Sequence, residues 1–142
     1  MKFRSRKDTL FGSLIIGVVL LILILMVFDI LSGGVDSIDY FAVIMALGVA
    51  FFLLWMYFST RYELATDGLV YQCGPMRGKI SYDRIREIVK GKTLWVGLKP
   101  ATARKGLIVK FDRFDEIYIS PDTNESFIEK ILEKNPNIKI SE

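Results

Sequence analysis

Residues 10–28 and 40–58 form two apolar runs without a single charged side chain. At 1.5 Å per residue, a helix over either run covers about 28 Å, close to the thickness of the hydrocarbon layer of a bilayer. In the first run every residue except Gly12, Ser13 and Gly17 is Leu, Ile, Val, Phe or Met. Insertion of such a segment is favourable by roughly 5 kcal/mol. A buried pair of helices in a soluble core is a poorer reading, because the polar remainder of the chain is too small to surround both. A cleaved leader is disfavoured too, since the run is too long and no small-residue cleavage pattern follows it.

After residue 60 the pattern changes to short alternating segments. Residues 62–66 and 69–73 flank Asp67-Gly68, a pair favoured in two-residue hairpin turns. A break follows at Gly74-Pro75, and residues 79–82 read as a third strand. Residues 83–88 suit either a helical turn or a strand, and 90–106 read as a long loop. Residues 107–111 and 116–120 predict a second hairpin around 112–115. Ser120, Pro121, Asp122 and Glu125 predict a helix start, with Ser120 as cap and Pro121 in the first position. Phe127, Ile128, Ile131 and Leu132 give that helix one apolar face, and Asn135-Pro136 stops it. Ile138 and Ile140 suggest a short edge strand after it.

Charge orients the runs. Lys2, Arg4, Arg6 and Lys7 precede the first, whereas the link between the runs carries Asp36 and Asp39 without Lys or Arg. The excess of Lys and Arg stays on the cytoplasmic side, which predicts both termini there. The expected organisation is a basic cytoplasmic N-terminus (1–9), a first transmembrane helix (10–31), an external loop (32–39), a second transmembrane helix (40–58) and a cytoplasmic domain (61–142). Trp55, Tyr57 and Tyr62 are expected at the inner interface and Tyr40 at the outer one. The small residues Ser13 and Gly17, with Ala42, Ala46 and Ala50, are expected to pack the two helices together, Gly17 facing Ala50. Asp29 has no charged partner within either run.

The chain is 51% hydrophobic with a mean hydropathy of +0.35, which averages a membrane part with a domain of ordinary soluble composition. It has no histidine and one cysteine, Cys73. That removes His-dependent triads, intramolecular disulfides and the usual zinc sites. Gly91-Lys92-Thr93 lacks the earlier glycine of a phosphate-binding loop, since Arg86 stands in its place. Asp112, Asp115 and Glu116 read as a solvated turn beside Arg113. No catalytic residue, metal site or cofactor is expected.

The middle of the chain is basic and its end acidic. Between residues 77 and 113 stand eleven Lys or Arg against three acids, and from 115 onward seven acids against three lysines. A tethered domain with one basic side should lay that side on an anionic leaflet. The expected contact residues are Arg77, Lys79, Lys90, Lys92, Lys99, Arg104 and Lys105, with Trp95 dipping into the interface. Membrane lipid is the expected partner, then another membrane protein or a second copy. Nucleic acid is not expected, because no recognition motif is present and the membrane competes for the same face.

Several short motifs, taken in order, resemble the YyaB-like family of bacterial PH-like membrane proteins. They are the basic opening of residues 1–8, Tyr62-Glu63-Leu64, Gly68-Leu69, Gly74-Pro75 with Arg77, Lys79-Ile80, residues 85–88, Ile119-Ser120-Pro121, Phe127-Ile128 and Asn135-Pro136-Asn137-Ile138. Arg104-Lys105-Gly106 departs from the Ser-rich stretch and Asp-Arg pair expected before the penultimate strand. The resemblance implies an α+β protein, a two-helix transmembrane hairpin followed by a small PH-like β-barrel or sheet with a C-terminal capping helix. It implies a fold and a location more than an activity; the expected function is a non-catalytic, membrane-tethered binding module that contacts anionic lipid or another membrane protein. Alternatives are a bacteriocin immunity or envelope stress-protection protein, or an accessory subunit of a membrane enzyme or transporter.

Overall fold

The computed structural model describes residues 1–33, 40–95 and 97–142. Asp36, Asp39 and most of the link between the apolar runs lie outside the described residues. The elements are β1 (Lys2–Arg4), α1 (Thr9–Gly33), α2 (Tyr40–Ser59), β2 (Arg61–Leu64), β3 (Gly68–Cys73), β4 (Met76–Ser81), β5 (Ile85–Lys90), β6 (Leu107–Phe111), β7 (Asp115–Ile119), α3 (Asn124–Lys134) and β8 (Lys139–Ser141).

The basic N-terminus is a strand and not a tail. Lys2, Phe3 and Arg4 alternate polar, apolar, polar, and β1 pairs antiparallel with β2 through Lys2↔Glu63, Phe3↔Tyr62 and Arg4↔Arg61. Phe3 is thereby buried with its ring edge-on to Phe127, centroids 5.2 Å apart. The two long helices are therefore an insertion between neighbouring strands of one sheet. Short motifs in residues 1–8 hid this because three residues are too few to show a period.

Two four-stranded sheets make the domain, in the orders β1-β2-β3-β4 and β7-β6-β5-β8. They meet without closing into a barrel, joined by an isolated bridge from Ser5 to Pro121. Leu64, Leu69, Ile80, Ile88, Leu107, Val109, Ile117, Ile119, Phe127 and Ile131 fill the space between the sheets and α3. β6 reads as a continuous apolar run because its sheet is covered on both faces. Leu107 and Val109 face the core, while Ile108 joins Val89 and Tyr118 on the other face under Leu94 and Ala101 of the loop 91–106. That loop is pinned by Tyr118, whose hydroxyl donates to the Ala103 carbonyl (2.8 Å) and accepts from the Gly106 N–H (2.9 Å).

Several expectations need correction. Gly68 is the first residue of β3, so the turn centres on Thr66-Asp67. A side chain at Gly68 would stand 2.6 Å from the Ile80 carbonyl oxygen, which is why glycine is there. Gly74, at φ +58°, leads the next two-residue turn as the first central position requires. Residues 83–88 divide into a 3-10 turn at Tyr82–Arg84 and then β5. Ser120 does not cap α3, and Pro121 is not in its first turn. Thr123 holds the cap position, because the Ser120 hydroxyl is taken up inside the domain. Tyr62 is a core residue and no part of an aromatic belt.

α1 and α2 lie side by side along a narrow seam. Gly12 and Ala50 are buried, and half-buried Ile15, Val19, Ile22 and Met26 repeat at the three-and-four spacing of a helix–helix stripe. Tyr57 crosses at Gly12, where an added Cβ would stand 2.9 Å from its hydroxyl oxygen. Ala46 is half-buried beside Ile22 and Met26, with Ala42 lining the same groove. Ser13 and Gly17 do not join the seam. Both are exposed, and a Cβ at Gly17 would meet nothing within 4 Å, so Gly17 does not face Ala50. Gly12 starts the seam, and Gly17, five residues on, falls on the opposite side of a 3.6-residue helix.

Candidate functional site

The domain has a helix end, from which α1 and α2 leave, and a far end. The helix end is built by chain segments distant in sequence. The Asp8 N–H donates to the Thr102 carbonyl (3.2 Å), and the Gly74 N–H donates to the Ser59 hydroxyl (3.0 Å). The Thr60 hydroxyl reaches the Cys73 sulfur at 3.3 Å. Beneath them lies a buried hydroxyl cluster. Ser5 Oγ stands 2.8 Å from Thr102 Oγ1, 3.0 Å from Ser120 Oγ and 3.2 Å from Tyr62 Oη. The Ser120 N–H donates to Tyr62 Oη (3.1 Å), and Tyr62 in turn donates to the Pro100 carbonyl. Burial pushes the Tyr62 hydroxyl above its ordinary range. These groups satisfy one another, as buried polar groups must. The cluster clasps residues 5–6 to the loop and to β7, and among the described residues its partners are hydroxyl and backbone groups.

Cations gather at this end. Arg104 holds Asp8 at 2.9 Å, and its hydrogen bond keeps that carboxyl below the usual range. Arg6 donates to the carbonyls of Arg104 and Lys105. The Lys105 N–H donates to Thr93 Oγ1 (3.1 Å), and Trp95, two residues further on, is 80% exposed. Arg77 flanks the turn that abuts Met56 of α2. So Arg6, Lys7, Arg104 and Lys105 line one cleft at the start of α1.

The remaining predicted residues do not join them. Lys79 pairs with Asp67 (2.6 Å) toward the far end. Lys90 is engaged by Glu125 (2.8 Å), which raises the lysine and lowers the glutamate from their ordinary values. Lys99 is half-buried in the loop. Asp112 pairs with Arg84, whose guanidinium lowers its carboxyl, so the turn carboxylates do not converge as a metal site. Among the described residues, no three of His, Cys, Asp or Glu gather to hold a metal. Sequence reasoning used Arg4, Lys7 and Arg61 for orientation but missed them as site residues. Their signal was position, since each stands within a few residues of a helix foot.

The two-sheet domain with its closing helix, entered at β2 and left at the end of α3, defines the class. Residues 60–135 match the Bacterial PH domain family, and the chain belongs to it. Along nearly its whole length the chain is also similar to the uncharacterized protein YyaB of Bacillus subtilis (strain 168), 25% identical over 141 residues, or 99% of this chain and 97% of that protein. That alignment takes in β1 and both long helices, which the family match does not. No solved structure matches the chain.

Proposed function

We propose that this protein is a non-catalytic, membrane-tethered PH-like module whose basic end rests on anionic lipid. The two helices cross the bilayer as a hairpin, and both chain ends lie on the cytoplasmic side. The reading rests on one observation: Arg6, Lys7, Arg104 and Lys105 line one cleft at the start of α1, with Lys7 over Phe58 near the end of α2. Each cation held near an anionic surface contributes about 1 kcal/mol, falling off within a Debye length. Because β1 pairs with β2, residues 2–4 and 61–64 share one side of any membrane that α1 and α2 cross.

Trp95 supplies the test. In the full chain carrying Trp55→Phe, reconstituted into vesicles, brominated lipid should quench Trp95 in anionic bilayers and much less in neutral ones. Equal quenching in both would count against electrostatic docking. A reporter fused at residue 142 should be active in the cytoplasm, and external activity alone would overturn the orientation.

A further inference from the structure

Arg4 and Arg61 stand directly opposite each other on β1 and β2. Like charges in that position repel, and sheets ordinarily avoid them. Arg61 donates from Nε and Nη2 to one neutral acceptor, Gln72 Oε1, at 3.1 and 2.9 Å, which aims the guanidinium and leaves its charge intact. Lys7 sits over the Phe58 ring, 4.2 Å from its centroid, and 5.3 Å from that of Tyr57. Among the described residues no carboxylate pairs with any of the three, whereas Lys79, Arg84, Lys90, Arg104, Lys110 and Lys130 all have one.

These three cations line one cleft of about 500 Å³ at the foot of α2, with Phe58 and Ser59 in its wall. The cleft is large enough for a headgroup, and it opens beside the last turn of an apolar helix. On the reading that α2 crosses the bilayer, it lies at headgroup depth. We propose that the cleft binds the phosphate of an anionic lipid headgroup, a phosphomonoester in preference to a phosphodiester. Arginine forks match phosphate oxygens in pairs, and three converging positive charges favour a dianion over a monoanion. The facing arginines are then a repulsion that the bound phosphate relieves. This inference rests on the membrane-tethered reading above and names a site within it that Trp95 and the loop 91–106 do not share.

The experiment titrates the full chain in mild detergent with short-chain phosphatidic acid, short-chain phosphatidylglycerol and inorganic phosphate, each by calorimetry. Phosphatidic acid should bind saturably at one site and more tightly than phosphatidylglycerol. R4Q and R61Q should each weaken it about tenfold, with Lys7→Gln costing less. Lys110→Gln and Lys130→Gln, whose cations pair with Glu87 and Glu133, should leave it within about twofold. Without ligand, R4Q and R61Q should raise the melting temperature, since each removes a facing like charge. Should either variant fail to fold, Arg61→Lys takes its place, keeping the charge and losing the fork, and should still weaken binding. Equal loss in Lys130→Gln, or none in R4Q and R61Q, would overturn the site while leaving a general preference for anionic lipid standing. Equal affinity for the two lipids overturns the monoester assignment. Inorganic phosphate displacing the lipid at matched concentration reassigns the cleft to a soluble anion and overturns the lipid. If no anionic lipid binds and vesicle docking is indifferent to charge, this inference and the tethered reading fall together.

Discussion

The hairpin and the domain treat the same side chains in opposite ways. In the domain Leu69, Ile88, Leu107, Val109, Ile119, Phe127 and Ile131 are wholly buried. In α1 and α2 Leu14, Leu21, Ile24, Phe28, Phe41, Ile44 and Phe51 each leave half or more of their surface open, and the only buried residues are Gly12 and Ala50. Apolar surface on that scale is not stable against water. The domain's chain chooses its conformation to hide apolar groups from solvent. The hairpin hides almost none, as the proposed crossing of a bilayer would require. The same mutation should therefore have unequal effects in the two regions, and phenylalanine offers the sharpest contrast.

Phe3 and Phe28 lie on either side of the boundary. Phe3→Ala removes a buried ring from between the sheets and α3, and the full chain in mild detergent should lose about 3 kcal/mol in urea unfolding. Phe28→Ala, from a ring 68% exposed, should change the same transition by under about 0.5 kcal/mol. A negligible loss at Phe3 would mean that β1 does not belong to the domain, and the hairpin would cease to be an insertion in the sheet. A fragment starting at residue 61 lacks β1 and should melt well below the intact chain.

The two regions were unequally legible in the sequence. The helices were plain because nineteen uncharged residues carry a signal that no local competition can blur. β2 and β3 were visible because Tyr62 and Leu64, then Leu69, Tyr71 and Cys73, stand at every second position, and β6 and β7 because two short apolar runs flank the polar turn 112–115. β1 was hidden, since Lys2-Phe3-Arg4 becomes a strand only when β2, almost sixty residues away, supplies a partner. Ser120 looked like a helix cap because serine has that propensity, but tertiary contacts with Ser5 and Tyr62 claimed its hydroxyl. Net charge foretold a basic surface. It did not foretell that Lys79 and Lys90 have carboxylate partners whereas Arg4 and Arg61 have none among the described residues, because pairing depends on the fold.

Glycines sharpen the contrast at the level of a single methyl. Gly106→Ala would drive a Cβ into the Ile119 carbonyl oxygen, backbone against backbone in the domain. It should cost about 2 kcal/mol in the same unfolding transition, as overpacking does. In the hairpin, Gly12→Leu has to displace Tyr57 from the seam, whereas Gly17→Leu projects into open space. A cysteine pair placed across the seam should therefore crosslink more slowly in Gly12→Leu and at the parental rate in Gly17→Leu. A reversed order would return the seam to the Gly17 face.

The smallest effect belongs to the joint between the two regions, where Arg104 of the domain loop holds Asp8 one residue before α1. The Asp8 carboxyl is held below its ordinary range, first by the Arg104 hydrogen bond and then by the Leu10 N–H. A lowered folded-state value means that the unfolded chain takes up the proton first as pH falls. The stabilisation is therefore present above the ordinary carboxylate value, near pH 4, and disappears as pH drops through the lower folded value. Asp8→Asn should melt slightly below the parent protein at pH 7 and together with it near pH 2. The gap at neutral pH should also shrink with added salt, because the pair is exposed and screened. A gap that persists at low pH would show that Asp8 acts by packing the start of α1, and that the joint between hairpin and domain is held by shape and not by charge.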